Sequence, residues 1–96
     1  MKQILTTDLF DEWFVGLRDI RAKVRIQARI DRAGLGNFVD SEPVGEGVSE
    51  MRIHFGPGYR VYFVQRGLEV VILLAGGDKS SQPKDIKRAL DLARRL

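Results

Sequence analysis

An α+β fold follows from three features of the 96-residue chain. Apolar residues recur at helical spacing in the first third, alternate with polar residues over positions 49–63, and return to helical spacing near the C-terminus. Helices and strands are therefore segregated along the chain, which argues against a parallel βαβ array. The length suits one domain spanning residues 1–96. The expected architecture is two N-terminal helices packed on a small antiparallel sheet, with a C-terminal helix.

KQILT, residues 2–6, reads as a short first strand. Thr7 and Asp8 are suitable helix N-caps, because their side-chain oxygens can accept from free backbone amides. Phe10, Trp13, Phe14 and Leu17 then form one apolar stripe. Asp19 can cap a second helix that runs to about Ala33, where Gly34 supplies a stop. Ala22, Ile26, Ile30 and Ala33 share the buried face of that helix, while Arg21, Arg25, Arg29 and Arg32 line a neighbouring one. That arginine stripe is either a solvated surface or a docking strip for phosphates or an acidic partner.

GLGNFVDSEPVGEG, residues 34–47, reads as a long loop. SEMRIHFGPGYRVYF, residues 49–63, reads as a hairpin turning at Gly56-Pro57-Gly58. Met51, Ile53, Phe55, Tyr59, Val61 and Phe63 take one face; Glu50, Arg52, His54, Arg60 and Tyr62 take the other. Leu68 to Ala75 is apolar at nearly every position, as a central strand covered on both faces should be. Gly76-Gly77-Asp78-Lys79 breaks it, and a last helix starts near Ser80 to Pro83, burying Ile86, Ala89, Leu90 and Ala93.

Composition narrows the function classes. Hydrophobic residues make up 44% of the chain, enough for a packed core and against disorder. With no cysteine and one histidine, the chain offers no thiolate site and no typical zinc site, and no metal or cofactor is expected. The longest apolar run is too short to cross a bilayer, and no secretion signal is visible, so a cytoplasmic protein without membrane contact is expected. The net charge of +3 is unevenly spread: residues 18–32 and 79–96 each hold six basic and two acidic side chains. Two basic segments point to a polyanion or an acidic protein partner. GGDKSS lacks the spacing of a phosphate-binding loop, with Asp78 where the second glycine belongs, so nucleotide hydrolysis is not indicated.

The cations of the hairpin are the chemical signal. Arg52 and His54 share a strand face, tight pairing brings Arg60 and Tyr62 beside them, and Lys79 emerges just beyond the next strand. Guanidinium groups hold phosphate oxygens bidentately and could stabilise the extra charge of a pentacoordinate phosphorane during RNA cleavage. His54 or Glu50 could move the protons for attack by a ribose 2′-hydroxyl. The same alternation is also what any half-exposed strand shows, with Glu50–Arg52 a plain surface ion pair.

VGEGVSEMRIHFGPGYRVYF and LLAGGDKSSQPKDI, with FDEWFVGLRD and ARIDRAGLGNF before them, resemble the RelE/HigB-like toxins of type II toxin–antitoxin modules. Within these toxins the resemblance is to the phage-derived addiction module killer proteins, and it covers nearly the whole chain. It implies a microbial-ribonuclease-like fold and metal-independent cleavage of mRNA on the translating ribosome, inhibiting translation. The family's functional arginine falls on Arg60 and its basic residue after the last strand on Lys79; Glu50 and Arg52 match the Glu-x-Arg pattern. Arg21, Arg25, Arg29 and Tyr62 are candidate RNA contacts. A HigA-like helix-turn-helix antitoxin encoded nearby is the implied partner, alongside the ribosome and mRNA. One departure stands out: residues 80–96 contain neither the tyrosine nor the histidine that assists the chemistry in several ribonuclease members. The same superfold includes ParE-like toxins, which inhibit DNA gyrase without cutting RNA, and a plain RNA-binding module is a third reading.

Overall fold

The computed structural model describes residues 1–96 and orders the chain as β1 (Gln3–Thr6), α1 (Asp8–Gly16), α2 (Ile20–Gly34), β2 (Ser41–Gly45), β3 (Val48–Ile53), β4 (Tyr59–Arg66), β5 (Val70–Gly77) and α3 (Gln82–Arg95). A single 3₁₀ turn, Lys79–Ser81, precedes α3. The five strands form one sheet in the order β1-β5-β4-β3-β2. The α+β class and the three helices are as expected. The sheet is mixed rather than antiparallel throughout, because β1 runs parallel to β5. Two helices and three strands separate β1 from β5 in the chain, ample length for the crossover that parallel neighbours need.

Residues 34–47 also differ from the expected loop. The expected loop contains β2, which pairs antiparallel with β3 through a tight turn at Glu46-Gly47. Ser-Glu-Pro-Val-Gly has little intrinsic strand preference, and most of it is exposed. Pairing with β3 supplies what propensity does not, and an edge position tolerates the proline.

The sheet is covered on both faces. α1 and α2 cover one, where Phe10, Ile26, Ile30, Met51, Val61, Phe63 and Leu73 form the larger core. α3 covers the other, where Val48, Tyr62, Val64, Leu74 and Ala89 form the second core. The hairpin face expected to be outward and charged therefore lies partly beneath α3, a result of long-range packing that strand alternation does not report.

A bulge in β5 sets which way the residues at the end of that strand face. Tyr62 pairs with Ala75 and Phe63 with Leu73, leaving Leu74 as the extra residue. Thr7 locks this irregularity in place. Its hydroxyl donates to the Leu74 carbonyl at 2.6 Å and accepts from the Phe10 amide at 3.1 Å, capping α1 on the strand it packs against. The phase change turns Gly76 toward Trp13 and Gly77 toward α3. A Cβ on Gly76 would lie 2.1 Å from the Trp13 ring, and one on Gly77 1.8 Å from an Asp85 carboxylate oxygen. Only glycine permits either approach.

Candidate functional site

The polar side chains of β3, β4 and β5 are arranged in rows by the sheet register. Arg52 lies opposite Arg60, and Arg60 opposite Gly77; one row inward, Glu50 lies opposite Tyr62, and Tyr62 opposite Ala75. Two guanidinium groups directly across a strand pair repel one another. Carboxylates offset that cost on both sides. Arg52 donates to Glu42 at 2.7 Å, and this pairing raises its pKa above the ordinary arginine value. Arg60 Nε lies 3.7 Å from Glu50 Oε2.

Glu50 is the buttress of the site. It is only 4% exposed, and its Oε2 accepts from the Tyr62 hydroxyl at 3.0 Å and from Gln82 Nε2 at 2.8 Å. A buried carboxylate is tolerated because it has these donors and a neighbouring guanidinium. Tyr62 is 0% exposed, and burial, followed by the Glu50 charge, pushes its phenol pKa well upward. It therefore serves as a neutral donor in the floor of the site. Tyr62 was expected to face RNA; α3 lies over it and its ring has no open face.

Arg60 sits above that floor with its side chain 12% exposed. One terminal nitrogen donates to the Gly58 carbonyl at 2.6 Å, while Nε is buried without a hydrogen-bond partner, too far from Glu50 to donate. Gly58 is also where Lys79 arrives. A Cβ built on Gly58 would lie 3.0 Å from Arg60 Nη1 and 3.6 Å from Lys79 Cβ, so the Arg60 guanidinium and the base of the Lys79 side chain flank the same turn residue. The Lys79 amide donates to the Pro57 carbonyl at 3.4 Å, tying the end of β5 to the hairpin turn. Asp78 caps the following turn, accepting from the Ser80 amide at 2.8 Å and the Ser80 hydroxyl at 2.5 Å. These bonds, the Ser80 hydroxyl first, hold the Asp78 carboxyl below its ordinary pKa, with Arg60 a smaller contributor.

The first turn of α3 closes the site from above. Ser81 donates to Asp85 at 2.5 Å, and Asp85 is buried against Gly77. Gln82, Ser81 and Asp85 were not among the sequence-derived candidates. Sequence spacing gave no signal for them, because their partners Glu50 and Gly77 are distant in the chain.

The remaining candidates lie elsewhere. His54 falls just past the end of β3, 72% exposed, with Nε2 3.3 Å from Asp40 Oδ2. It lines a cleft with Arg25, Arg29 and Arg32 of α2, and its carboxylate partner is Asp40, whereas that of Arg60 is Glu50. Arg29 donates to the Arg52 carbonyl at 2.7 Å and to the Val39 carbonyl, fastening α2 to β3 and to the approach to β2. Arg25 stacks over Phe55, 4.5 Å from the ring centre, while Arg21 is exposed at the start of α2.

The fold and this site define a small α+β domain whose sheet end presents one buttressed guanidinium beside a free lysine. Residues 12–96 match the family described as phage-derived protein Gp49-like (DUF891). An uncharacterized protein of Haemophilus influenzae is 52% identical over 94 residues, covering 98% of this chain and 95% of that protein. The chain belongs to the Gp49-like family, which is associated with the toxins of toxin–antitoxin modules; membership implies an antitoxin partner. No helix is long and apolar enough to cross a membrane.

Proposed function

We propose that the chain is the RelE/HigB-like toxin of a type II module and acts as a metal-independent endoribonuclease on ribosome-bound mRNA, with a HigA-like helix-turn-helix protein as its antitoxin. The observation that carries this reading is that the Arg60 guanidinium and the root of the Lys79 side chain both adjoin Gly58, with a buried guanidinium N–H left unpartnered. Such a pair suits a scissile phosphate. Arg60 holds one non-bridging oxygen, Lys79 a second, and both counter the charge that grows as the 2′-oxygen attacks phosphorus. The P–O5′ bond breaks, leaving a 2′,3′-cyclic phosphate and a 5′-hydroxyl.

Glu50, expected to move protons, is better suited to positioning, because its carboxylate holds Arg60 from below through a network closed by Tyr62 and Gln82. Arg52, across from Arg60, adds positive potential while paired to Glu42. His54 is bonded to Asp40 and faces α2. Catalysis at Arg60 and Lys79 then rests on charge stabilisation, with protons exchanged through water.

The test is cleavage mapping of transcripts during translation, comparing the wild type with Lys79→Ala. Lys79 is exposed, so its removal leaves the fold intact; Arg60→Ala would also strand Glu50. Loss of cleavage in Lys79→Ala supports the reading. Growth arrest by wild type without any mRNA cleavage sinks it, and would favour the second reading, a ParE-like inhibitor of DNA gyrase or another protein target. That second reading draws on one observation: neither His54 nor Glu50 is free beside the phosphate-binding pair. A supercoiling assay at saturating toxin checks it, and full gyrase activity there removes it.

A further inference from the structure

Away from the Arg60–Lys79 site, α2 and the end of β3 enclose an open cleft of about 260 Å³ lined by Arg25, Ala28, Arg29, Arg32, Ile53 and His54. Three arginines at spacings of four and three stand on one helix face, which disfavours the helix by roughly 0.2–0.5 kcal/mol per like-charged neighbour. None of the three is in an ion pair, unlike Arg52, Arg60, Arg94 and Arg95. Arg29 carries its charge half-buried, and its pKa is lowered by burial and by Arg32 even with Asp40 opposing. The only carboxylate pairing into the cleft is Asp40, at His54. Asp31, on the same helix, accepts from Gln27 at 2.9 Å and has no arginine partner.

The cleft is also built rather than loose. Arg29 is pinned at both ends of its guanidinium by the Arg52 and Val39 carbonyls, and Arg25 is stacked on Phe55. Cations held in place against one another, with an apolar floor from Ala28 and Ile53, suit an anion that arrives from outside. The Arg29–Arg52 bond ties this cleft to the strand that carries the first row of the other site.

We propose that this cleft is a second phosphate-binding site, which holds the RNA backbone at a nucleotide distant from the scissile one. Arg25 and Arg32 grip the phosphate, Arg29 sets their frame, and His54 donates from the strand side. The inference rests on the reading of RNA as substrate and changes the part assigned to His54 from proton transfer to binding. An RNA strand contacting both sites is longer than the Arg60–Lys79 pair alone would require, so the second site sets how the substrate lies across the sheet end.

The experiment reads binding apart from cleavage. Affinity for a single-stranded 2′-O-methyl oligonucleotide, which cannot be cut, is measured by anisotropy across a salt series for the intact protein and three variants. The double variant Arg25→Ala/Arg32→Ala should weaken binding by about tenfold or more and reduce the salt slope by about 0.7, the value for one phosphate released from a single strand. Ala28→Glu, which puts a carboxylate into the cleft without removing any arginine, should weaken binding in the same direction. His54→Ala should raise KM for a cleavable substrate and leave kcat unchanged. Unaltered affinity and slope in both the double variant and Ala28→Glu overturn the proposal. So does a fall in kcat at unchanged KM for His54→Ala, which returns that residue to the chemistry. Poly-glutamate binding as tightly as the oligonucleotide, and lost in the same variants, also overturns it and assigns the cleft to an acidic partner. Failure of the ribonuclease reading shows separately, as an uncut transcript with oligonucleotide binding retained.

Discussion

Arg60 and Arg25 bring the same guanidinium group into opposite surroundings. Arg60 is almost enclosed, supported from below by a buried carboxylate and closed in by the first turn of α3. Arg25 is exposed, stacked on an aromatic ring, and surrounded by other arginines. In the first region the protein supplies most of the counter-charge, and the cation is held in one geometry. In the second it supplies little, and the positive potential reaches into solvent. On the proposed reading, the difference separates positioning from capture. A group that stabilises a transition state gains from being fixed before the substrate arrives, whereas a group that attracts a polyanion gains from remaining uncompensated.

The largest effect that would sharpen this contrast is expected at Gly77. Gly77→Ala forces a methyl group into the Asp85 carboxylate and displaces the turn that closes the site. A loss of about 3 kcal/mol in unfolding free energy is expected, at the upper end for overpacking, measured by urea denaturation. A neutral result would mean that α3 moves aside freely and that the first site is not rigidly enclosed.

Arg60→Ala comes next, at about 2–3 kcal/mol, because Glu50 would remain buried with two neutral donors and no cation. Arg60→Ala/Glu50→Gln should recover part of that loss, whereas an additive double variant would mean that the two side chains do not interact.

A smaller effect follows from acid. The Asp78 carboxyl has a pKa below its ordinary 3.8, so its ionised form is favoured by folding. Its contribution is fully present above about pH 4 and is lost as pH falls through the lower folded value. Amide exchange at Ser80 and Ser81 should accelerate relative to the α2 amides over that range, and Asp78→Asn should remove the difference.

The smallest change belongs to the second region. Arg25→Ala/Arg32→Ala should alter stability by no more than about 0.5 kcal/mol, since both residues are exposed and the lost stacking of Arg25 on Phe55 is offset by relief of repulsion along α2. A loss comparable to that of Arg60→Ala would abolish the distinction between the two regions.

Much of this is legible in the sequence. The helical stripe of Ala22, Ile26, Ile30 and Ala33 is the buried face of α2, and Thr7 and Asp19 cap the helices they were expected to cap. The alternation in the hairpin assigns Glu50, Arg52, Arg60 and Tyr62 to one face, and the register agrees. His54 departs from that set because the strand ends at Ile53, one residue before it. The expectation that Tyr62 meets RNA failed for a different reason: α3 packs over a face that alternation marks only as polar.

Local sequence by itself determined the helices, the caps of α1 and α2, the hairpin and the face on which each of its residues lies. These follow from backbone periodicity and from hydrogen bonds between near neighbours. Tertiary structure alone decided that β1 joins the sheet in parallel, that β2 forms from a weak strand sequence, and that a bulge at Leu74 aims Gly77 at α3. It also decided which cations were enclosed and which were left open. Whether a polar face meets water or a helix depends on contacts between residues far apart in the chain, and periodicity carries no record of them.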